Sequence, residues 1–330
     1  MVLITTTSGS SFTQLDRDTI LNAAEKSGIN LAYSCRTGRC STCKCKIING
    51  DTIPIFDESG LSQEEKDNGW ILSCARTAID NVEIEIDDLG DVIVPKPNIL
   101  PCRINSLDKV SKHVTRVRLR LPPASDFKIL PGQYLDIIGP AGVRRSYSVA
   151  NYVTENILEL HIGQVASGCL SKYFFEEAKE NDLLRINGPL GTFFLRSIKA
   201  QNVIFLATGT GIAPIKAMFE SINLLPRKDK PNSVTLFWGG RNLDDLYLDL
   251  SNVNKLFRYV PVLSRSALDW KGQKGYVQDI FINENPDLSN CVIYACGSDK
   301  MVRSSREILS RYGLPEKRFF SDAFLPSDPP

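Results

Sequence analysis

The chain has 330 residues, 42% of them hydrophobic and 23% charged, which is enough apolar surface for two or three cored modules and lacks the bias of a disordered segment. Thirty-nine Lys and Arg stand against 38 Asp and Glu, so a net charge of +1 supplies no field for nucleic acid or an anionic membrane. Only two histidines argue against His-rich zinc catalysis, haem and Rieske clusters, and nine cysteines, an odd number, argue against a disulfide framework.

The opening residues MVLITTTSGSSFTQLDRD show no basic start, apolar block and small-residue cleavage site, so no secretion signal is expected. The longest uncharged apolar stretch, 203–215, is interrupted by Gly209 and Gly211 and is too short to span a bilayer. Cytoplasmic residence is the expectation.

Most of the cysteine signal lies in the first ninety residues. The segment YSCRTGRCSTCKC places Cys35, Cys40 and Cys43 with gaps of four and two residues. With a distant fourth Cys, this is the plant-type spacing for a [2Fe-2S] cluster, in which a loop wraps the core and aims backbone amides at sulfur. Arg36, Gly38 and Ser41 are the expected amide donors. The fourth ligand is expected at Cys74 in ILSCAR, on a separate segment that closes the site. Cys45 competes for that role, yet it alternates with Lys44 and Lys46 and shares a strand face with Ile47, the pattern of a small core residue. The alternative metal is zinc held by thiolates alone. Such sites ordinarily present two short-spaced Cys pairs, whereas here three thiols crowd one loop and the fourth stands apart.

The alternating run VEIEI leads to Pro95, Pro97 and Pro101, so 93–101 is expected to be a stiff linker after a module at 1–92. Short alternating runs follow at 117–121, 134–138, 146–150, 157–162 and 183–186. In the first, Val117, Leu119 and Leu121 take one face and Arg118 and Arg120 the other, so 102–198 is expected to be a small barrel. One of its strands reads RRSYSVAN and throws Arg145 and Tyr147 to one side, Ser146 and Ser148 to the other. Arg can pair with phosphate, Tyr can stack on an isoalloxazine, and Ser can reach a flavin N5. An alternating RSYS strand is also ordinary sheet. The next loop, ASGCLSKYF, adds Gly168 for close backbone approach and Ser171 to open a helix whose amides face a pyrophosphate.

Beyond residue 199 the rhythm becomes strand, helix, strand, with apolar runs at 203–207, 234–238 and 292–295, the mark of a parallel sheet covered on both faces. ATGTGIAPIKAMF follows the first run directly, so Gly209, Thr210 and Gly211 form a tight turn at a strand end and Pro214 starts the helix. WGGR and YACGS place Gly239, Arg241, Cys296 and Gly297 at strand carboxyl ends, where ligands of open α/β sheets bind. Taken alone, Cys296 reads equally well as a buried small residue.

YSCRTGRCSTC, RRSYSVAN, GPLGTFF, VIYACGSDKM and the C-terminal RFFSDAFLPS stand in an order that resembles, end to end, the ferredoxin-NADP reductase superfamily with an N-terminal plant-type ferredoxin domain. Within it, the chain is most similar to the iron–sulfur flavoproteins of 3,6-dideoxyhexose biosynthesis. The resemblance implies a β-grasp ferredoxin domain, a Greek-key antiparallel β-barrel for FAD, and an α/β Rossmann-like domain at 199–330 for NADH. It further implies that Ser148 and Cys296 flank the reacting atoms, that Phe324 lies near the flavin, and that the electron acceptor is a pyridoxamine-phosphate-dependent dehydrase. The candidate cofactor set is then Arg145, Ser146, Tyr147, Ser148, His161, Gly168, Ser171, Gly209, Thr210, Gly211, Pro214, Gly239, Arg241, Cys296, Gly297 and Phe324, with Cys35, Cys40, Cys43 and Cys74 on the metal. Where the superfamily usually carries Arg or Lys after the ELHI strand, this chain has Gly163 and Gln164, which leaves pyrophosphate charge to Arg145, backbone amides and Ser171. The reductase component of a ring-hydroxylating or methane-type oxygenase has the same three modules and is the nearest alternative. A non-catalytic redox sensor is the alternative of a different class. Arg241 can pair with a 2′-phosphate but Asp244 and Asp245 repel one, which favours NADH over NADPH.

Overall fold

The computed structural model describes residues 1–86, 89–90, 92–166, 168–250 and 257–325. Ser167 of the expected pyrophosphate loop and the last two residues of RFFSDAFLPS lie outside them. The described chain divides into two compact units, Met1–Val94 with Leu325, and Pro95–Phe324.

The first unit is built on a five-stranded mixed sheet in the order Ser11–Gln14, Val2–Thr6, Val82–Glu85, Lys44–Asn49, Trp70–Leu72, with the two central strands Val2–Thr6 and Val82–Glu85 parallel. The helix Ile20–Lys26 packs on it, burying Ile20, Leu21, Ala23 and Ala24. Its start is set by Thr19, whose hydroxyl accepts from the Asn22 amide at 3.1 Å. This is the β-grasp arrangement, and its core includes Cys43, Cys45 and Cys74.

The second unit holds both remaining modules. Six antiparallel strands run in the order Arg144–Ser148, Tyr134–Ile138, Leu183–Leu190, Asn98–Ser111, Val114–Arg120, Ile157–Gly163. A bridge between Val149 and Leu160 joins the two ends, closing the sheet into a barrel. Six parallel strands follow, in the order Gln273–Lys274, Phe257–Leu263, Ser233–Gly240, Asn202–Thr208, Cys291–Ser298, Phe319–Phe324. The runs read as continuous apolar stretches are buried on both faces, as a helix-covered parallel sheet requires.

One expectation is corrected here. The stretch read as linker is strand from Asn98 onward, and it pairs with Leu183–Leu190 through Arg103. The same strand pairs with Val114–Arg120 only from Arg103 on, so Pro101 lies where the strand has one neighbour. A missing amide costs nothing at a free edge, which is why three spaced prolines did not mark a linker over their whole length.

Candidate functional site

In the first unit, the loop 35–43 brings three thiols against Cys74. The sulfurs fall into two pairs. The Cys35 amide donates to Cys40 Sγ at 3.4 Å, and Cys43 Sγ donates to Cys74 Sγ at 3.2 Å. A separate side-chain hydrogen bond, from the Cys40 thiol, holds the Cys35 thiol at about 5 against the opposing effect of burial. A hydrogen bond with Cys43 lowers Cys74, while the donor partners Cys40 and Cys43 are pushed up. Among the described residues no three His, Cys, Asp or Glu side chains gather as a ready-made shell for a metal ion.

The wrap is made by backbone. Thr37 donates its amide to Cys35 Sγ at 3.4 Å, Arg39 reaches the same sulfur, and the Gly38 amide faces Cys74. Gly38 has φ +73°, and a Cβ there would stand 1.9 Å from the Asp57 carbonyl oxygen, so no other residue fits. Of the expected donors only Gly38 takes that part. Arg36 and Ser41 instead turn the chain, with φ of 56° and 61°. Arg36 pairs bidentately with Glu25 and lies 4.0 Å from the Tyr33 ring centre, while Ser41 Oγ donates to the Gly60 carbonyl. Cys45 is wholly buried on its strand and its thiol is pushed far up by burial, as a core residue. The paired thiols and inward amides fit a [2Fe-2S] core.

In the second unit, the barrel and the parallel sheet meet at Ser148. Its hydroxyl donates to Asp322 Oδ2 at 3.4 Å, both residues being buried. Asp322 is the register partner of Cys296, whose thiol is pushed well up by burial and by the Asp322 charge. Asp322 is absent from the candidate set read from sequence; an acidic residue inside FFSDAF is the signal for it, since a buried charge in an apolar strand needs a partner.

Above them lies the glycine turn. Gly209 has φ +54° with open space where a Cβ would be. A Cβ on Gly211 would meet the Cys296 carbonyl oxygen at 2.2 Å, and one on Gly297 would meet Thr208 Oγ1 at 2.2 Å. Thr208 Oγ1 also accepts from the Ser298 amide at 3.1 Å. The turn, Thr208 and the Cys296–Gly297 backbone are thus packed together at the strand ends, an open cradle in front of a helix N-terminus that fits a dinucleotide phosphate. The helix starts at Ile212, so Pro214 sits third in it, where its missing amide is still unneeded. Gly239 pairs with Thr208 on the neighbouring strand, Arg241 is exposed beyond it, and Phe324 closes the edge strand opposite Ser298.

Other predicted residues stand elsewhere. Tyr147 points with Arg145 to the side of Leu135 and Ile137, packs edge-on to Phe174, and has its phenol pushed up to about 12 by burial. It shares the RSYS strand with Ser148 but not its side. Ser146 donates to Asp136 at 2.7 Å. Gly168, not Ser171, precedes the short helix; the Ser171 hydroxyl accepts from the Val165 amide at 2.9 Å and donates to the Gly163 carbonyl, which ties the loop to itself. His161 is not open to a cofactor. Its Nδ1 meets the Tyr247 hydroxyl at 2.9 Å and its Nε2 meets Glu159 at 3.1 Å, so both ring nitrogens are taken inside the protein.

Three known domain families match the chain: a 2Fe-2S iron-sulfur cluster binding domain at 6–78, an oxidoreductase FAD-binding domain at 101–195, and an oxidoreductase NAD-binding domain at 205–307. The CDP-6-deoxy-L-threo-D-glycero-4-hexulose-3-dehydrase reductase of Yersinia pseudotuberculosis is 38% identical over 325 residues, 97% of each chain. Reductase component 1 of a Comamonas terephthalate 1,2-dioxygenase is 31% identical, covering 93% of this chain and 92% of its own. Among solved structures, the Amycolatopsis cytochrome P450 reductase GcoB superposes with a TM-score of 0.74 at 27% identity, covering 99% of both chains.

Proposed function

The chain belongs to the family of the CDP-6-deoxy-L-threo-D-glycero-4-hexulose-3-dehydrase reductases, and from that premise we propose that it draws electrons from NADH and delivers them singly to a pyridoxamine-phosphate-dependent dehydrase during CDP-3,6-dideoxyhexose synthesis. When bound, FAD accepts a hydride and the [2Fe-2S] cluster carries one electron at a time, which is the chemistry of a two-to-one converter.

The chain's own residues supply the placement. The Gly209–Gly211 turn and the helix behind it hold the dinucleotide phosphates. Cys296 would exclude water beside a bound nicotinamide, and Ser148, fixed by Asp322, would line the flavin side of the same seam. Cys35, Cys40, Cys43 and Cys74 hold the cluster. Asp245 accepts from the Arg241 and Asn242 amides at 2.7 and 3.1 Å, so its charge stays at the end of the Ser233–Gly240 strand and supports NADH over a 2′-phosphorylated cofactor.

The observation that carries the reading is the meeting of Ser148, Asp322 and Cys296 under the glycine turn, in a chain whose other unit holds two paired sets of thiols. The test is reconstitution with NADH and a pyridoxamine-phosphate-dependent dehydrase loaded with its CDP-4-keto-6-deoxyhexose. Deoxygenated sugar formed only when all components are present supports the proposal. Electron delivery to a ring-hydroxylating oxygenase, with none to the dehydrase, establishes the oxygenase-reductase reading instead.

A further inference from the structure

Behind the hydride seam, a network of charged side chains crosses from the barrel to the nucleotide-binding lobe, and it centres on the buried Glu159. The Glu159 side chain is almost fully enclosed on the strand Ile157–Gly163. Its Oε1 lies 3.1 Å from Lys216 Nζ and 3.1 Å from His161 Nε2, and its Oε2 takes the Arg118 guanidinium at 3.1 Å. Its backbone carbonyl accepts from the Ala150 amide at 2.7 Å, two residues beyond Ser148.

Each contact leads toward a reacting partner. Lys216 stands one turn into the helix that begins behind the glycine turn, and it also donates to the Ala150 carbonyl and to Glu220. Glu220 in turn accepts from the Tyr152 amide at 2.7 Å. Through His161, Glu159 reaches the Tyr247 hydroxyl; the Tyr247 ring stands edge-on to Trp238, and Trp238 Nε1 donates to the Gly209 carbonyl at 2.9 Å. One carboxylate therefore sits between the strand exit that carries Ser148, the helix behind the turn, and the turn's own carbonyl.

We propose that Glu159 is a positioning residue: through Lys216 and the His161–Tyr247–Trp238 chain it sets the height of the dinucleotide turn over the Ser148 strand, and so the distance across which hydride passes. The inference rests on the proposed reaction and adds to it a residue that touches neither reacting group. Three partners on one carboxylate, with a fourth contact through its backbone carbonyl, make the arrangement stiff, and misplacement by about 1 Å is enough to cost on the order of a hundredfold in rate.

The test uses Glu159→Gln, Lys216→Met and the double variant in the full chain with its cofactors. Expected are flavin content and NADH affinity within about threefold of the parent, together with an anaerobic flavin-bleaching rate lowered at least ~10-fold in each single variant. The double variant loses less than the product of the two single losses, because the Glu159–Lys216 contact is shared by both. Lys216→Arg, which keeps the charge, recovers part of the rate. A readout without turnover accompanies these: the Cys296 thiol, fully buried at this seam, is alkylated faster in the variants, whereas Cys102 inside the barrel core is not.

Unchanged bleaching and unchanged Cys296 reactivity in both single variants overturn the proposal. A rate loss matched by loss of flavin or by faster alkylation of Cys102 also overturns it, since that marks general loosening. If NADH fails to bleach even the parent chain, the proposed reaction itself is wrong, and the positioning role falls with it.

Discussion

The cluster loop and the hydride seam are built on opposite plans. Three of the four thiols lie within 35–43, on one tight loop whose backbone conformation is dictated by Gly38. At the seam, Ser148 and Asp322 meet across 174 residues of chain, and they come from a barrel and from a parallel sheet. The difference follows from the chemistry. Ligation is covalent and asks for one residue type at fixed short spacing, whereas hydride transfer asks only for proximity and exclusion of water. A local site is exposed to single substitutions at its ligands; a distributed one is exposed to anything that moves the two lobes.

The largest break in this comparison is expected from Cys43→Ser. It removes the iron–sulfur absorption and stops delivery to a one-electron protein acceptor, while NADH still bleaches the flavin at the parent rate. Loss of flavin bleaching as well would mean that the two units are not chemically separable. Gly211→Ala comes next. Its Cβ has only the Cys296 carbonyl to push against, 2.2 Å away, and backbone cannot swing aside, so a loss of about 2–3 kcal/mol and of NADH binding is expected, with cluster absorption intact. Thermal unfolding and NADH titration read both.

Asp322→Asn sharpens the comparison without disrupting packing. Ser148 keeps a partner of the same shape but loses the charge that fixes it, so flavin reduction is expected to slow by about two orders of magnitude at unchanged flavin content. A rate equal to the parent's would assign Asp322 to structure alone.

The smallest expected effect is on acid stability. Burial disfavours the Glu159 charge, but the hydrogen bond from His161 and the Lys216 ammonium outweigh it and hold the carboxyl at about 2, below its ordinary 4.5. Its contribution is complete above pH 4.5 and disappears as pH falls through about 2. His161 is lowered from 6.5, chiefly by burial, so it folds neutral and its contribution likewise declines as pH drops below 6.5. Acid unfolding of the second unit is expected to be shallower in Glu159→Gln between pH 4.5 and 2. Identical slopes would show that Glu159 carries no linked proton.

The same contrast explains what the sequence reveals. The thiol spacing makes the proposed cluster site legible and sets Cys45 apart as the core residue its complete burial shows, because ligand type and spacing are both constrained. Its amide donors are less legible, since any residue has an amide and only the path of the loop selects Thr37, Gly38 and Arg39. At the seam, the apolar runs and the GTG turn announce the sheet and its mouth. Asp322 is marked only as an acidic residue inside an apolar strand, and Glu159 and Lys216 are common residue types whose partners lie on other elements, so nothing local names their partners. His161 misleads for the same reason: it stands on a barrel strand near the flavin motif, yet both of its nitrogens are spent on Tyr247 and Glu159. The linker reading fails at Asn98 because proline is as acceptable on a one-sided strand as in a spacer.

The most direct test of the account is an anaerobic titration with NADH, followed by visible absorption and electron paramagnetic resonance, on the parent chain and on Asp322→Asn. The account predicts that flavin absorption bleaches first and the reduced-cluster signal follows, and that Asp322→Asn delays both steps together. A cluster signal that rises at the parent rate while flavin bleaching is slowed, or that never rises after the flavin is reduced, would contradict the path from nicotinamide through the Ser148 seam to the four thiols.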